Sequence, residues 1–383
     1  MILENDESLL LRNALEHIAA YGISPPGTSH LVDVGTDAFL SYYQKEIIQD
    51  LVAKGGATCK FIEGSYGSGK THVLQLLREV SLQNGMAVAS TDLSQALSLS
   101  DWKLITEYIL MNIEARINGQ IVKSLPEIVA ALGKSGANKN IEVLKKENLP
   151  SAGFKNAIIY ALRSEILSDF SWNLLKQYLL GNKVSTVLMR NCGLGGIKGN
   201  LTQKNAEYVL KTVLAALYSL GLTGTALLFD ENEMTLVSTT RNVSKKNIIA
   251  ANIMRRMIDG CSNGLMTRTI VVFAVLPGFL ENCAMNYQAL GQRLQIVRDG
   301  YQNPSWRWPV LPIQALSTAR EPEDFLEKAV ERYVQIVQTL GGSIEGLKEK
   351  LFQSGQSVID NNVGTGYKRE LVKVLANISL ERL

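Results

Sequence analysis

Long apolar runs are missing from this chain of 383 residues. The longest, such as TIVVFAVL from Thr269, fall far short of the roughly 20 apolar residues that a membrane-spanning helix needs. The N-terminus, MILENDESLLLRNALEHIAAYG, is acidic early and amphipathic later, unlike a signal peptide, so a cytoplasmic protein with no membrane partner is expected. Cysteine is scarce. Cys59, Cys192, Cys261 and Cys283 stand far apart without zinc or redox spacing, which reads as free thiols in a reducing compartment. Surplus charge is also small: the formal net charge is +3, so an acidic partner would have to be met by a local patch. Internal repeats and low-complexity tracts are absent. What is present is an apolar fraction of 46%, in a chain long enough for a large core and more than one lobe.

The periodicity predicts an α/β protein. Residues from about Glu7 to Tyr21 read as a helix that Gly and paired Pro in YGISPPGTSHL break. TDAFLSYYQKEIIQDLVAKGG reads as a second helix stopped by Gly55-Gly56. TCKFIEG is a short strand, KTHVLQLLREVSLQNG a helix and MAVASTDLS a strand, the order of a parallel crossover unit. Another strand, TGTALLFDENE, comes more than a hundred residues later, so residues from about 100 to 220 read as a crossover enlarged by a helical insertion. NVSKKNIIAANIMRRMIDG is a helix, RTIVVFAVLPGF a buried strand and YQALGQRLQI a short helix. Pro304, Pro309 and Pro312 suit a boundary before an all-helical C-terminal lobe. The expected organisation is an N-terminal helical segment and adenine-side linker over 1–55, a core with the insertion over 56–310, and a C-terminal helical lid over 311–383.

Gly64, Ser65, Tyr66, Gly67, Ser68, Gly69, Lys70 and Thr71 spell G-x-x-x-x-G-K-[ST], with a strand before and a helix after. Glycines allow the backbone to wrap close to phosphate oxygens. Successive N–H groups and the following helix N-terminus form an anion cradle. Lys70 can reach the β- and γ-phosphates of ATP, and the Thr71 hydroxyl can ligate Mg²⁺. His72 follows directly and is expected to pack in the first helical turn beside the cofactor.

ALLFDENE ends four apolar residues on Asp230-Glu231, carboxylates that emerge at the C-terminal edge of a buried strand, where parallel sheets bind ligands. Asp230 suits Mg²⁺ opposite Thr71, and Glu231 suits a general base or orienter for the attacking water. Glu233 belongs either to the site or to solvent. TIVVFAVLPGF carries Leu276 and Pro277 where many related ATPases place a polar residue, a role left to Asn282, Asn286 or nothing. Arg293, one short helix further on, is either a trans-acting catalytic arginine across an oligomer interface or a surface ion-pair partner. Arg369 opens a C-terminal helix and is expected to fold over the nucleotide, with Lys368 as the alternative and a solvated helix start as the plain reading.

LVDVGTDAFLSYYQKEIIQDLVAKGGATCKFIEGSYGSGKTHVL, TGTALLFDENE, VLPGF, YQALGQRL and YKRELVKVL together resemble the BREX phage-defence ATP-binding protein family, P-loop ATPases of the AAA+/origin-recognition-like type. The resemblance spans most of the chain and is weakest in the insertion. It implies an ATPase core with a helical lid, acting with other defence proteins; in one branch of the family the partner is a DEAD/DEAH-like helicase. It also implies that VDVG, with Val34 and Gly35, borders the adenine. Asn232 stands where an apolar residue is expected, and with Leu276 it counts against fast turnover. A rival reading is therefore a switch or scaffold that holds ATP and recruits partners with little hydrolysis. A P-loop kinase is disfavoured by the long separation of the motifs.

Residues Ile121 to Lys204 hold twelve Lys/Arg against five Asp/Glu, an excess of seven that leaves the remainder at −4. This concentration suits either DNA or a solvated basic face. The interleaved aromatics Phe154, Tyr160, Phe170, Trp172 and Tyr178 are spaced for a helical core instead of base stacking.

Overall fold

The computed structural model describes residues 2–93, 97–134, 136–230, 244–295, 305–362 and 366–383. Seven strands form one sheet: β1 Thr58–Glu63, β2 Ala87–Asp92, β3 Glu114–Ile117, β4 Gln120–Lys123, β5 Thr225–Asp230, β6 Thr269–Val275 and β7 Val310–Pro312. Their spatial order is β4-β3-β2-β5-β6-β1-β7. From β2 through β7 the neighbours are parallel, while β3 and β4 join antiparallel at one edge. All of β5 and β6 is buried, as expected of central parallel strands covered on both faces. Phe229, Phe273 and Phe61 stack in a row across β5, β6 and β1, with ring centroids 4.7 and 5.1 Å apart.

Helices α1 Ile2–Tyr21 and α2 Asp37–Tyr42 precede the sheet, and α2 loosens into a π-helix over Tyr43–Val52. Helix α3, Lys70–Gln83, follows β1, and α4, Trp102–Asn112, follows β2. The enlarged crossover continues through α5 Leu125–Lys134, α6 Ala137–Lys146, α7 Ala152–Ala161, α8 Asp169–Leu179, α9 Thr186–Asn191 and α10 Ala206–Ser219. Next come α11 Lys245–Ser262, α12 Phe279–Asn286, α13 Gln288–Leu294, α14 Pro322–Thr339, α15 Leu347–Asn361 and α16 Tyr367–Leu380. Side chains fix several starts: Asp101 accepts from Leu104 N at 3.0 Å, and Ser168 accepts from Ser171 N at 3.2 Å.

One face of the sheet packs α3 and the π-helix through Ile48, Val52, Leu77, Val88, Leu228 and Val272. The other packs α4, α7, α10 and α11 through Ile109, Ala157, Val213, Met254, Phe229 and Phe273. A third cluster joins α1 to α14, α15 and α16 through Leu15, Ile18, Val330, Leu351 and Leu375. The first helix therefore packs with the last three, at the opposite end of the sequence. No helix among the described residues is long and apolar enough to cross a membrane.

β1 and β2 are parallel strands joined through α3, as a crossover unit requires, with β6 and β5 lying between them. Two features depart from the sequence reading. The stretch expected to be a helical insertion carries the β3–β4 hairpin. Its turn is Asn118-Gly119, at φ 51° and 83°, the left-handed pair that a two-residue hairpin requires. The Pro-rich segment read as a boundary supplies β7, which pairs with Phe61–Glu63 of β1. Lys60 holds that segment by donating to the carbonyls of Trp306, Arg307 and Trp308 at 3.3, 2.7 and 2.9 Å. Burial lowers the Lys60 ammonium to about 8.

Arg78 on α3 and Glu114 on β3 form a buried bidentate pair, with Arg78 Nη2 at 2.7 Å from Glu114 Oε2. Arg78→Met is expected to cost about 3 kcal/mol in urea unfolding, because Glu114 is left charged and unpaired; adding Glu114→Gln should recover part of it.

Candidate nucleotide site

β1 ends at Glu63, and the chain then turns through Gly64–Gly69 into α3. Gly67 and Gly69 adopt φ of 72° and 100°, which side chains rarely tolerate. Gly67 has a second constraint, since a Cβ there would stand 2.6 Å from the Gly366 carbonyl oxygen. Ser68 Oγ donates to Ser65 O at 2.7 Å and tightens the turn. Lys70 is only 6% exposed, and its Nζ donates to Gly64 O and Ser65 O at 2.8 and 3.0 Å. Its ammonium also stands 5.6 Å from the centre of the exposed Tyr66 ring. The lysine thus fills the loop with positive charge at the N-terminus of α3. Thr71 occupies the next position, half-buried.

Asp230 ends β5 and is buried. β6 lies between β1 and β5, and the registers place Glu63 beside Val275 and Phe229 beside Phe273, so both acids reach the same sheet edge. Two inter-strand spacings separate them, about 10 Å. A second carboxylate stands next to Asp230: Asp92, its register partner at the end of β2. Burial, then the Asp230 charge, raises the Asp92 carboxyl above its ordinary value. Asp92 escaped the sequence reading, although an acid closing a strand in MAVASTD is the same signal that picked out Asp230. Glu63 caps α12, accepting from Phe279 N at 3.3 Å, and its carboxyl is raised by burial and by Glu281. Glu231, Asn232 and Glu233 lie outside the described residues.

Helix α3 grips the segment that carries Val34 and Gly35. Ser24 Oγ and Ser29 Oγ donate to Gln75 Oε1 at 3.2 and 2.7 Å. Ser29 N and His30 N donate to Glu79 at 2.9 and 3.1 Å. His72 Nε2 donates to Asp33 Oδ1 at 3.1 Å. Burial pushes the Asp33 carboxyl up, but the hydrogen bonds from His72 and Thr36 outweigh it and hold it below the usual range. Val34 is buried, and Gly35, at φ 78°, accepts from Thr318 N at 2.8 Å. The phosphate loop, the VDVG segment and the chain leaving β7 are thereby tied together.

A cavity of about 620 Å³ opens beside the loop, lined by Ser68, Ile313, Gln314, Arg320, Tyr367 and Lys368 among others. Its size suits a small-molecule ligand. Lys368, on the first turn of α16, packs its Nζ 4.3 Å from the Phe325 ring centre, and burial lowers its ammonium to about 8 against the attraction of Asp33. Arg369, favoured in the sequence reading, does not line the cavity. It is exposed, and its Cγ would be 2.7 Å from a Cβ on Gly22, at the end of α1. Arg293 is held within its own chain. It donates through Nε and Nη2 to Asp259 on α11, and through Nη1 to Ala289 O at 2.6 Å. Asn286 Nδ2 donates to Asn282 Oδ1 at 2.6 Å.

A glycine loop closed by a buried lysine at the mouth of α3, with carboxylates two strands away on one edge of a parallel sheet, is compatible with a P-loop-like nucleotide-binding protein. Residues 12–128 and 179–361 match the family described as "BREX system ATP-binding protein BrxC/D", more than three-quarters of the chain, and the chain belongs to that family. Among curated proteins and among solved structures, nothing matches.

Proposed function

We propose that the protein is a Mg²⁺-dependent, ATP-hydrolysing member of the AAA+-like class that drives or gates a DNA-directed anti-phage defence complex in the cytoplasm. The carrying observation is a pair of oppositely charged groups at one edge of the sheet: the Lys70 cradle after β1 and Asp230 two strands away, with β6 between them. That interposed strand supports the AAA+-like assignment, because it leaves room between the two motifs for a triphosphate. Family membership supports the ATP and defence parts of the reading.

In this reading Gly64–Thr71 wrap the phosphates, Val34, Gly35 and His72 border the base and ribose, and Lys368 reaches the phosphates from α16 with Arg369 outside. Thr71 and Asp230 would hold Mg²⁺, which typically takes one or two protein ligands and completes its shell with phosphate and water. When bound, the ion would neutralise developing charge on the phosphoryl oxygens. Glu231 orients the attacking water and accepts its proton. Arg293 acts in a neighbouring subunit only if it leaves Asp259. The C-terminal helices, with α1 packed on them, form the lid over 311–383, and closure on ATP would be reported to partner proteins such as a DEAD/DEAH-like helicase.

The second reading, a switch with little hydrolysis, is favoured by one observation: all three guanidinium nitrogens of Arg293 are engaged within the chain. Calorimetry with Mg·ATP and single-turnover hydrolysis with and without DNA separate the two. Heat of binding with turnover supports the enzyme; heat with no turnover under either condition leaves the switch; no heat removes both.

The lowered pKa of Lys368 gives a pH signature. Its ammonium exists below about 8, under the ordinary 10.5, so a phosphate contact made by this group is present at pH 7 and fades as pH rises through 8. ATP affinity is expected to fall about tenfold between pH 7 and 9.5, the worth of one charge-assisted hydrogen bond. Lys368→Arg should flatten this step. An equally steep step in that variant would assign the pH dependence to another group.

A further inference from the structure

The enlarged crossover contains an acid-free stretch of sequence that no part of the nucleotide site uses. Residues 170–206 hold five Lys or Arg and not one Asp or Glu. Lys176 is the exception in placement, lying over Trp172 and 3.8 Å from Glu127. Lys183, Arg190, Lys198 and Lys204 are exposed and form no ion pair among the described residues.

Folding gathers three of these cations at one place. Asn200 is a clasp: its Oδ1 accepts from Val184 N and its Nδ2 donates to Val184 O, both at 3.0 Å. The clasp brings Lys183, next to Val184, against the chain that carries Lys198 and Lys204. Asn205 Nδ2 secures the far side by donating to Asn200 O at 3.0 Å. Arg190 lies one short helix away, at the end of α9. Between them Gly193, Gly195 and Gly199 face open space, so their backbone is accessible to a ligand. The carboxylates flanking this face are already paired: Glu107, beside Gly181, with Lys103 at 2.8 Å, and Glu207, in the first turn of α10, with Lys211 at 2.7 Å and with Arg256.

We infer that this clasped face is a docking surface for the phosphate backbone of duplex DNA. The chemistry favours nucleic acid over an acidic protein. Lysine is depleted in protein–protein interfaces, yet as a mobile point charge it displaces counterions from phosphates efficiently. No aromatic residue lies between Lys183 and Lys204, and the exposed Phe170 and Tyr208 only flank that stretch, so the contact is to backbone and carries little sequence preference. The surface also touches the ATPase core. Gln203 Oε1 accepts from Lys103 N at 2.7 Å, in the first turn of α4, the helix that follows β2 and Asp92. This assignment deepens the DNA-directed part of the proposed function and does not depend on hydrolysis.

The test is fluorescence anisotropy of a short mixed-sequence duplex against the full chain without nucleotide, over a salt series, comparing wild type with Lys183→Gln/Lys198→Gln/Lys204→Gln. Three lost phosphate contacts should reduce the slope of log affinity against log salt by about 2.7, at roughly 0.9 per contact. Affinity at low salt should fall at least tenfold, while Mg·ATP binding by calorimetry stays unchanged. Wild-type protein that binds no duplex at low salt overturns this inference together with the DNA-directed reading. Binding that the triple variant retains in full, with the same slope, overturns the surface alone. Poly-glutamate competing as well as duplex at equal charge concentration would also overturn the assignment, in favour of an acidic protein partner.

Discussion

Lys70→Ala protein is expected to lose ATP binding by at least about a hundredfold, the equivalent of two charge-assisted hydrogen bonds to phosphate. The side chain is almost wholly buried and donates to Gly64 O and Ser65 O, so arriving phosphates exchange those carbonyls for better acceptors without moving the backbone far. The loss has two parts. The phosphates lose a cation where the cradle otherwise offers only amide dipoles, and two inward-facing carbonyls lose their donor. Lys70→Arg should not rescue, because a planar fork cannot replace a point charge in a nest of this size. Calorimetry gives the direct readout, and a melting curve gives a second one. Ligand at a hundredfold over its dissociation constant stabilises the wild type by about 2.7 kcal/mol, a shift that should vanish in both variants. A Lys70→Ala protein that keeps the full ATP-dependent shift would move the nucleotide elsewhere on the molecule.

Such an experiment is possible from sequence alone because this half of the site is local. Gly64 to Thr71 are contiguous, and the strand and helix that must flank them are visible in TCKFIE and in the apolar spacing of KTHVLQLL. Asp230 was equally legible, since an acid closing a fully apolar strand marks the ligand edge of a parallel sheet. What the sequence concealed depends on contacts between distant segments. Whether Lys368 or Arg369 faces the cavity is a rotation of about 100° on one helix, fixed by Tyr367 and Leu371 packing against α14 and α15, not by either residue's own chemistry. The docking of α1 on α16 joins the two ends of the chain, and no local period announces it. β7 has only three residues and lies among prolines, so it gains its strand character from pairing with β1 and from the Lys60 ammonium that collects the preceding carbonyls. The β3–β4 hairpin is different: Asn118-Gly119 between β-compatible residues was a readable turn, hidden by the helical periodicity on either side.

Asp230 and Glu231 should separate by function and stability. Asp230→Asn and Glu231→Gln are each expected to slow single-turnover hydrolysis at least about a hundredfold, the usual scale for losing a positioned charge or base in the transition state. Their other properties should diverge. On the proposed assignment Glu231→Gln removes a base and leaves the phosphate cradle unchanged, so Mg·ATP binding is expected to persist and the protein to be trapped in its bound state. On the same proposed assignment Asp230→Asn removes a metal ligand, so ATP binding should become nearly equal in Mg²⁺ and in EDTA. Asp230 also stands beside Asp92, whose carboxyl its charge helps to raise. A raised folded value means that ionised Asp92 is disfavoured in the native state, a cost that appears as pH climbs above the ordinary carboxyl value and is complete above the raised one. Neutralising Asp230 relieves part of it, so at pH 7 Asp230→Asn is expected to unfold at the same or higher urea concentration than wild type, despite being inactive. Asp92→Asn should show the same relief while keeping Mg²⁺ dependence. An Asp230→Asn protein that is inactive and clearly less stable would instead make Asp230 a structural residue of β5, and the metal site would have to be built from other groups.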